Sequence, residues 1–234
     1  YSGEVPAGTA SYSLNDLTSM TAGTYVTYTV TRRDAYGNLG TNGNETVDLA
    51  STSAGANKKF YQTYFNVGGA HDVAVSGSYL YATDWNSRLQ IINISDMLAP
   101  TRMSTFYASA SAVSGFVLSG NYAYVANRGS GLRIVDISNP SLPTGMSACD
   151  TPGDAQDVYI SGNYVYVADY NSGGLQIIDV SNVASPSLTG GYDTTGWTVG
   201  VFVSGAYAYV ADWSPGLQII DVSNAAAPTW ISAL

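Results

Sequence analysis

In this 234-residue chain an acidic or amide side chain is followed by an aromatic or cationic one at four matched places: Asp84-Trp85, Asn127-Arg128, Asp169-Tyr170 and Asp212-Trp213. An aromatic ring exposed beside polar groups can hold the apolar face of a sugar while its neighbours bond the hydroxyls. Trp85, Tyr170, Trp213 and Arg128 are therefore a candidate glycan-binding set. The acids read differently, because a carboxylate repeated at one place in successive units accepts backbone N–H groups of its own loop. Asp84, Asp169, Asp212 and Asn127 are expected to cap loops, and Asp136, Asp179 and Asp221, with Asn93 in the first copy, to hold the turn that follows them.

Catalytic patterns are sparse. His71 is the only histidine and shares its repeat position with Ser114, Gln156 and Val199, so no Ser-His-Asp arrangement has a second base to draw on. Nothing marks two carboxylates facing one cleft. The chain is expected not to be an enzyme. Cys149 is the only cysteine, which excludes an intrachain disulfide and a cysteine-based metal site and fits a small buried apolar side chain. No histidine cluster offers a metal site, and oxygen-rich loops that could take Ca²⁺ lack an Asp-x-Asp-x-Asp-Gly string, so no cofactor is expected. Asn44-Glu45-Thr46 and Asn93-Ile94-Ser95 match the N-glycan acceptor pattern, Asn44 in a turn and Asn93 at a strand end.

Composition bounds the partners. With 17 acidic against 8 basic residues the net charge is −9, which opposes binding to nucleic acid because phosphate recognition needs clustered Lys and Arg. There is no run of eighteen apolar residues to span a bilayer, and no leader-like segment opens the chain. Charged residues make up only 11%, against 19 Tyr and 25 Gly, which is the composition of strands and turns. The fold class is all-β.

The elements that must position the candidate residues repeat. Ser76, Ser119, Ser161 and Ser204, each followed by Gly, lie 43, 42 and 43 residues apart, and Pro100, Pro143, Pro186 and Pro228 lie 43, 43 and 42 apart. A period in the low forties without a helical pattern predicts one four-stranded propeller blade per repeat, starting near residues 69, 112, 154 and 197. In the third copy the strands are expected over 155–160, 164–168, 175–180 and 187–192. Tyr164, Tyr166 and Ala168 alternate with Val165 and Val167, and Leu175 and Ile177 with Ile178 and Val180, so both faces are apolar and each blade must pack on both sides.

The phrase Leu-Gln-Ile-Ile-Asp-Val-Ser-Asn at 175–182, preceded by Ser-Gly-Asn-Tyr-Val-Tyr-Val-Ala-Asp at 161–169, resembles the LVIVD repeat of bacterial and archaeal secreted and cell-surface proteins. That resemblance covers residue 69 to the end and implies a four-repeat β-propeller in a domain over 58–234. Before it, residues 1–57 carry Ala22-Gly23-Thr24, an alternating strand over 25–31, Asp34-Ala35-Tyr36-Gly37-Asn38 and a second strand over 45–50. This segment resembles the first half of a bacterial immunoglobulin-like repeat, which implies a partial β-sandwich.

Four blades need sixteen strands, yet Lys58 to Phe65 falls in the phase of a fourth strand and makes seventeen. Either 58–65 belongs to the immunoglobulin-like part, or residues 229–234 leave the propeller to pair with another molecule, or the chain is part of a longer propeller. The leading expectation is a non-catalytic extracellular or cell-surface structural protein, a homo-oligomer or filament joined by strand exchange. The alternative is a lectin-like propeller or adhesin using the aromatic face.

Overall fold

The computed structural model describes residues 69–234 except 85, 98, 109–111, 172 and 215, together with the backbone of two strands nearer the start. Those two strands, β1 (Tyr25–Val30) and β2 (Glu45–Ala50), pair antiparallel with Val26 opposite Leu49 and Tyr28 opposite Val47. They fall in the first of two compact units, Tyr1–Phe60 and Tyr61–Leu234. The rest of the expected immunoglobulin-like half, the Asp34–Asn38 corner, Asn44 and the strand at 58–65 lie outside the described residues.

The second unit contains sixteen described strands in four antiparallel sheets, each made by one repeat. The first blade is β3 (Ala70–Ser76), β4 (Tyr79–Asp84), β5 (Arg88–Asn93) and β6 (Thr101–Tyr107). The second is β7 (Phe116–Ser119), β8 (Tyr122–Ala126), β9 (Leu132–Asp136) and β10 (Thr144–Cys149). The third is β11 (Asp154–Ser161), β12 (Tyr164–Tyr170), β13 (Gly174–Asp179) and β14 (Ser187–Tyr192), and the fourth β15 (Thr198–Ser204), β16 (Tyr207–Asp212), β17 (Gly216–Asp221) and β18 (Thr229–Ala233). The expected all-β architecture of four propeller blades is the one observed.

The hairpin between the first two strands of each blade explains the recurring Ser-Gly. Its two-residue loop opens on Gly77, Gly120, Gly162 or Gly205 at φ between 56° and 60°, a conformation a side chain would strain. In the following turn Asp136, Asp179 and Asp221 accept the N–H of Ser138, Ser181 and Ser223, each at 2.8 Å, and Asn93 does the same for Ser95. The hydroxyl and N–H of that serine hold each of the three carboxyls below its ordinary value.

Consecutive blades pack face to face through three apolar layers. Tyr81, Leu89 and Ile91 of the first blade meet Ala123, Val125 and Val135 of the second. Leu132 and Ile134 of the second meet Val165, Val167 and Ile178 of the third, and Tyr166, Leu175 and Ile177 of the third meet Val203, Val210 and Ile220 of the fourth. The third blade thus buries both faces, as its alternation predicts. Cys149 sits half-buried against the middle layer, where burial raises its thiol pKa. The first strands β7, β11 and β15 lie side by side. β18 pairs with β17 inside its own blade, Trp230 opposite Ile220. No helix among the described residues is long and apolar enough to cross a membrane.

Candidate functional site

Asp84 and Asp169 are fully buried where their second strands end. Asp84 accepts the Asn86 and Arg88 N–H groups at 2.9 and 3.2 Å, Arg88 Nε at 2.7 Å and Gln90 Nε2 at 2.8 Å. Asp169 accepts Thr151 Oγ1 and Gly153 N, both at 2.8 Å. Burial, opposed by these bonds, pushes the Asp169 pKa up. Asp84 caps its own loop as its repetition predicts, whereas Asp169 holds Thr151 and Gly153 of the segment that enters its blade. Asp212 departs from the pattern: it is buried, yet neither carboxylate oxygen has a hydrogen-bond partner among the described residues.

Next along the chain from Asp212, Trp213 and Ser214 line an open cleft of ≈ 410 Å³ together with Thr195, Gly196 and Trp197. Two indoles line it, and Tyr170 continues their row beyond the cleft. Tyr170 and Trp197 have centroids 5.5 Å apart at an interplanar angle of 33°, and Trp197 and Trp213 are 5.3 Å apart at 46°. Trp197 is 48% and Trp213 71% exposed. A backbone bond from Trp213 N to Trp197 O, at 3.1 Å, ties the two indoles together.

The loop that carries Trp197 is tightly constrained. Thr195 has φ 65°, a left-handed conformation costly for a β-branched residue, and its N–H donates to Asp193 Oδ1 at 2.9 Å. A Cβ on Gly196 would stand 2.0 Å from Ser214 O and 2.1 Å from Asp212 Oδ1, so only glycine lets the loop close over the carboxylate. Strain and close approach thus fall on the two residues directly before Trp197.

Of the four residues expected to ring one face, Tyr170 and Trp213 come together here, and Trp85 lies outside the described residues. Arg128 is instead placed in a bridge with Ala155, its N–H donating to Ala155 O at 3.2 Å, and it does not line the cleft. The ring expectation assumed that equivalent loop residues stay equivalent; at φ 36° Arg128 pairs with Ala155 of the next blade, whereas Tyr170 and Trp213 pair within their own. Trp197 was missed. Its signal is a break in the repeat, since Gly69, Ala112 and Asp154 occupy its position in the other copies. Asn93 is half-buried and its Oδ1 accepts Ser95 N. His71 is exposed at the start of β3. Among the described residues no group of three or more His, Cys, Asp or Glu could hold a metal ion.

The model of the LVIVD repeat family matches four times, over residues 67–107, 111–151, 152–194 and 195–233. No curated protein sequence matches the chain. Among solved structures it is similar to a periplasmic gluconolactonase of Pseudomonas aeruginosa, with TM-score 0.63 and 16% identity over 70% of this chain and 53% of that one. It is similar to a protein from Lactobacillus plantarum at TM-score 0.63 and 16% identity, over 88% of this chain and 64% of the other. A computationally designed protein, Ika4, aligns at TM-score 0.57 and 8% identity over 70% of this chain and 98% of its own. The chain thus spans between half and two thirds of the two natural structures. At these identities the likeness shows the fold.

The expectation that the chain is not an enzyme is corrected by this comparison, because one structure sharing the fold is named a gluconolactonase. The reason the sequence misled is physical: on a propeller, reacting groups can be gathered from loops of several blades, so an empty spacing pattern within one repeat does not exclude catalysis. With four matches in phase with four blades, the chain belongs to the LVIVD repeat family and is a β-propeller of that family.

Proposed function

We propose that the chain is an extracellular or cell-surface protein that binds carbohydrate on the shelf formed by Tyr170, Trp197 and Trp213. The observation that carries this reading is the exposure of two adjacent indoles, 48% and 71%, whose backbones are hydrogen-bonded to each other. Large aromatic side chains are mostly buried, and an exposed contiguous pair held by strained backbone is a prepared surface. The adjacent rings offer an apolar surface for the C–H face of a pyranose, while Thr195 and Ser214 line the cleft beside them for hydroxyl contacts. A sugar-acid lactone is what the name of one structure of this fold says that protein acts on, which fits a polyhydroxylated ligand class.

A glycan array followed by titration tests the reading. Trp197→Ala and Trp213→Ala are each expected to weaken binding to any captured glycan at least about tenfold, in line with the loss of an aromatic anchor. Absence of binding across the array, or binding unmoved by both substitutions, overturns it.

A second reading, a structural subunit of a surface layer or filament, draws support from the apolar face that the fourth blade leaves exposed. Exchange of the last strand is not its route, because β18 is paired at home.

A further inference from the structure

Asp212 occupies the repeat position of Asp169, and its surroundings differ in one respect. In the third blade the Thr151 hydroxyl and the Gly153 N–H, both at 2.8 Å, answer Asp169. The matching residues of the fourth blade are Thr194 and Gly196, each forty-three positions on. There the Thr194 hydroxyl is paired with Thr198 Oγ1 at 2.7 Å. Thr198 lies opposite Asp212 in the sheet, where the third blade sets Ala155 opposite Asp169, and an alanine has no oxygen to compete for that hydroxyl. Asp212 is 5% exposed, and neither of its oxygens has a partner among the described residues.

The acid lies against the cleft. A Cβ on Gly196, which lines the cleft, would collide with Asp212 Oδ1, and Trp213, the next residue, supplies one of its two indoles. No Lys, Arg or His is among the described lining residues. Asp193, exposed at the start of the same loop, adds a second carboxylate, its Oδ1 accepting the Thr195 N–H at 2.9 Å. The imbalance extends beyond the cleft, for residues 150–234 carry eight Asp and no Glu, Lys, Arg or His. The potential over the third and fourth blades is therefore negative.

A carboxylate withdrawn from water without donors is destabilising, and a positive charge brought beside it offsets that penalty. Indole faces attract the same charge through their quadrupole. A metal ion suits the place poorly, because among the described residues no group of three or more His, Cys, Asp or Glu could hold one. An organic ammonium needs only one carboxylate and an aromatic wall. Resting on the carbohydrate reading of the cleft, we propose that the glycan it takes bears a free amino group, the ammonium drawn to Asp212 and the pyranose ring laid on Trp197 and Trp213. An N-acetylated or neutral sugar of the same shape leaves Asp212 unanswered.

Calorimetric titration of the full chain with an oligomer of glucosamine, its N-acetylated counterpart and a glucose oligomer of equal length tests this, at low salt and a pH where the amines are charged. The amine-bearing oligomer is expected to bind about tenfold tighter than either of the others, and added salt to narrow the gap. Asp212→Asn keeps the side-chain shape without the charge and is expected to abolish the preference, while Trp213→Ala weakens binding of all three ligands. The melting temperature of Asp212→Asn should not fall, since the change strands no donor among the described residues. A preference that survives in Asp212→Asn, or equal affinities for the three oligomers in the unaltered chain, overturns the inference and leaves the carbohydrate reading standing. Tighter binding of an oligolysine of equal charge also overturns it, by making the ligand a basic peptide. Absence of binding to every oligomer removes the carbohydrate reading and the inference with it.

Discussion

Asp157 and Asp136 show how one residue type acquires different energetics from its surroundings. Burial is the foremost cause raising the Asp157 pKa above 3.8, with the nearby Asp72 adding to it and the Val201 and Val158 N–H groups and His71 opposing it. A carboxyl that binds its proton more tightly when folded stabilises the fold at low pH, and that contribution is lost as pH rises through the folded pKa. Stability is therefore expected to rise as the pH is lowered through the raised folded pKa of Asp157 toward 3.8, and to fall below 3.8 as Asp136, Asp179 and Asp221, whose values are lowered, are protonated. Chemical denaturation across pH should show this maximum, and Asp157→Asn should flatten its upper limb. Asp169 and Asp212 offer a paired test. Asp169→Ala strands the Thr151 hydroxyl and Gly153 N–H, costing about 1–3 kcal/mol, whereas Asp212→Ala removes a buried carboxylate without partners among the described residues and is expected to be neutral or stabilising in thermal melts.

At the scale of elements, the third strand of each blade has nearly one sequence and two different fates. Leu175 in β13 is fully buried between blades, and Leu175→Ala is expected to cost about 2–5 kcal/mol through lost transfer energy and a cavity. Leu217 in β17 is 37% exposed, so Leu217→Ala should cost about 1 kcal/mol or less in urea unfolding at concentrations where a single copy prevails. Equal costs would mean that the outward face of the fourth blade is already packed. The strands themselves were legible because alternation and turn glycines are local, and the observed strands of the third blade lie within two residues of those expected. The aromatic shelf was only half legible. Tyr170 and Trp213 sit at a repeated position, but Trp197 belongs to the connection between blades, and no spacing rule brings it between them.

For the whole molecule, the four sheets stack in sequence order and each repeat makes contacts chiefly with its neighbours. Stability in such an array is a sum of repeat and junction terms. Residues 61–234 form a compact unit by themselves and are expected to fold without the first sixty, with circular dichroism and melting close to those of the full chain. The sequence by itself determined the all-β class, the four blades, their strand order and the apolar character of both blade faces, because period, alternation and turn chemistry are written residue by residue. Tertiary structure alone decided which faces are covered, which acid lacks a partner among the described residues and which rings meet. Those properties depend on what lies across a junction, and identical repeats such as Gly-Leu-Gln-Ile-Ile-Asp at 174–179 and 216–221 carry no record of whether another blade stands beside them.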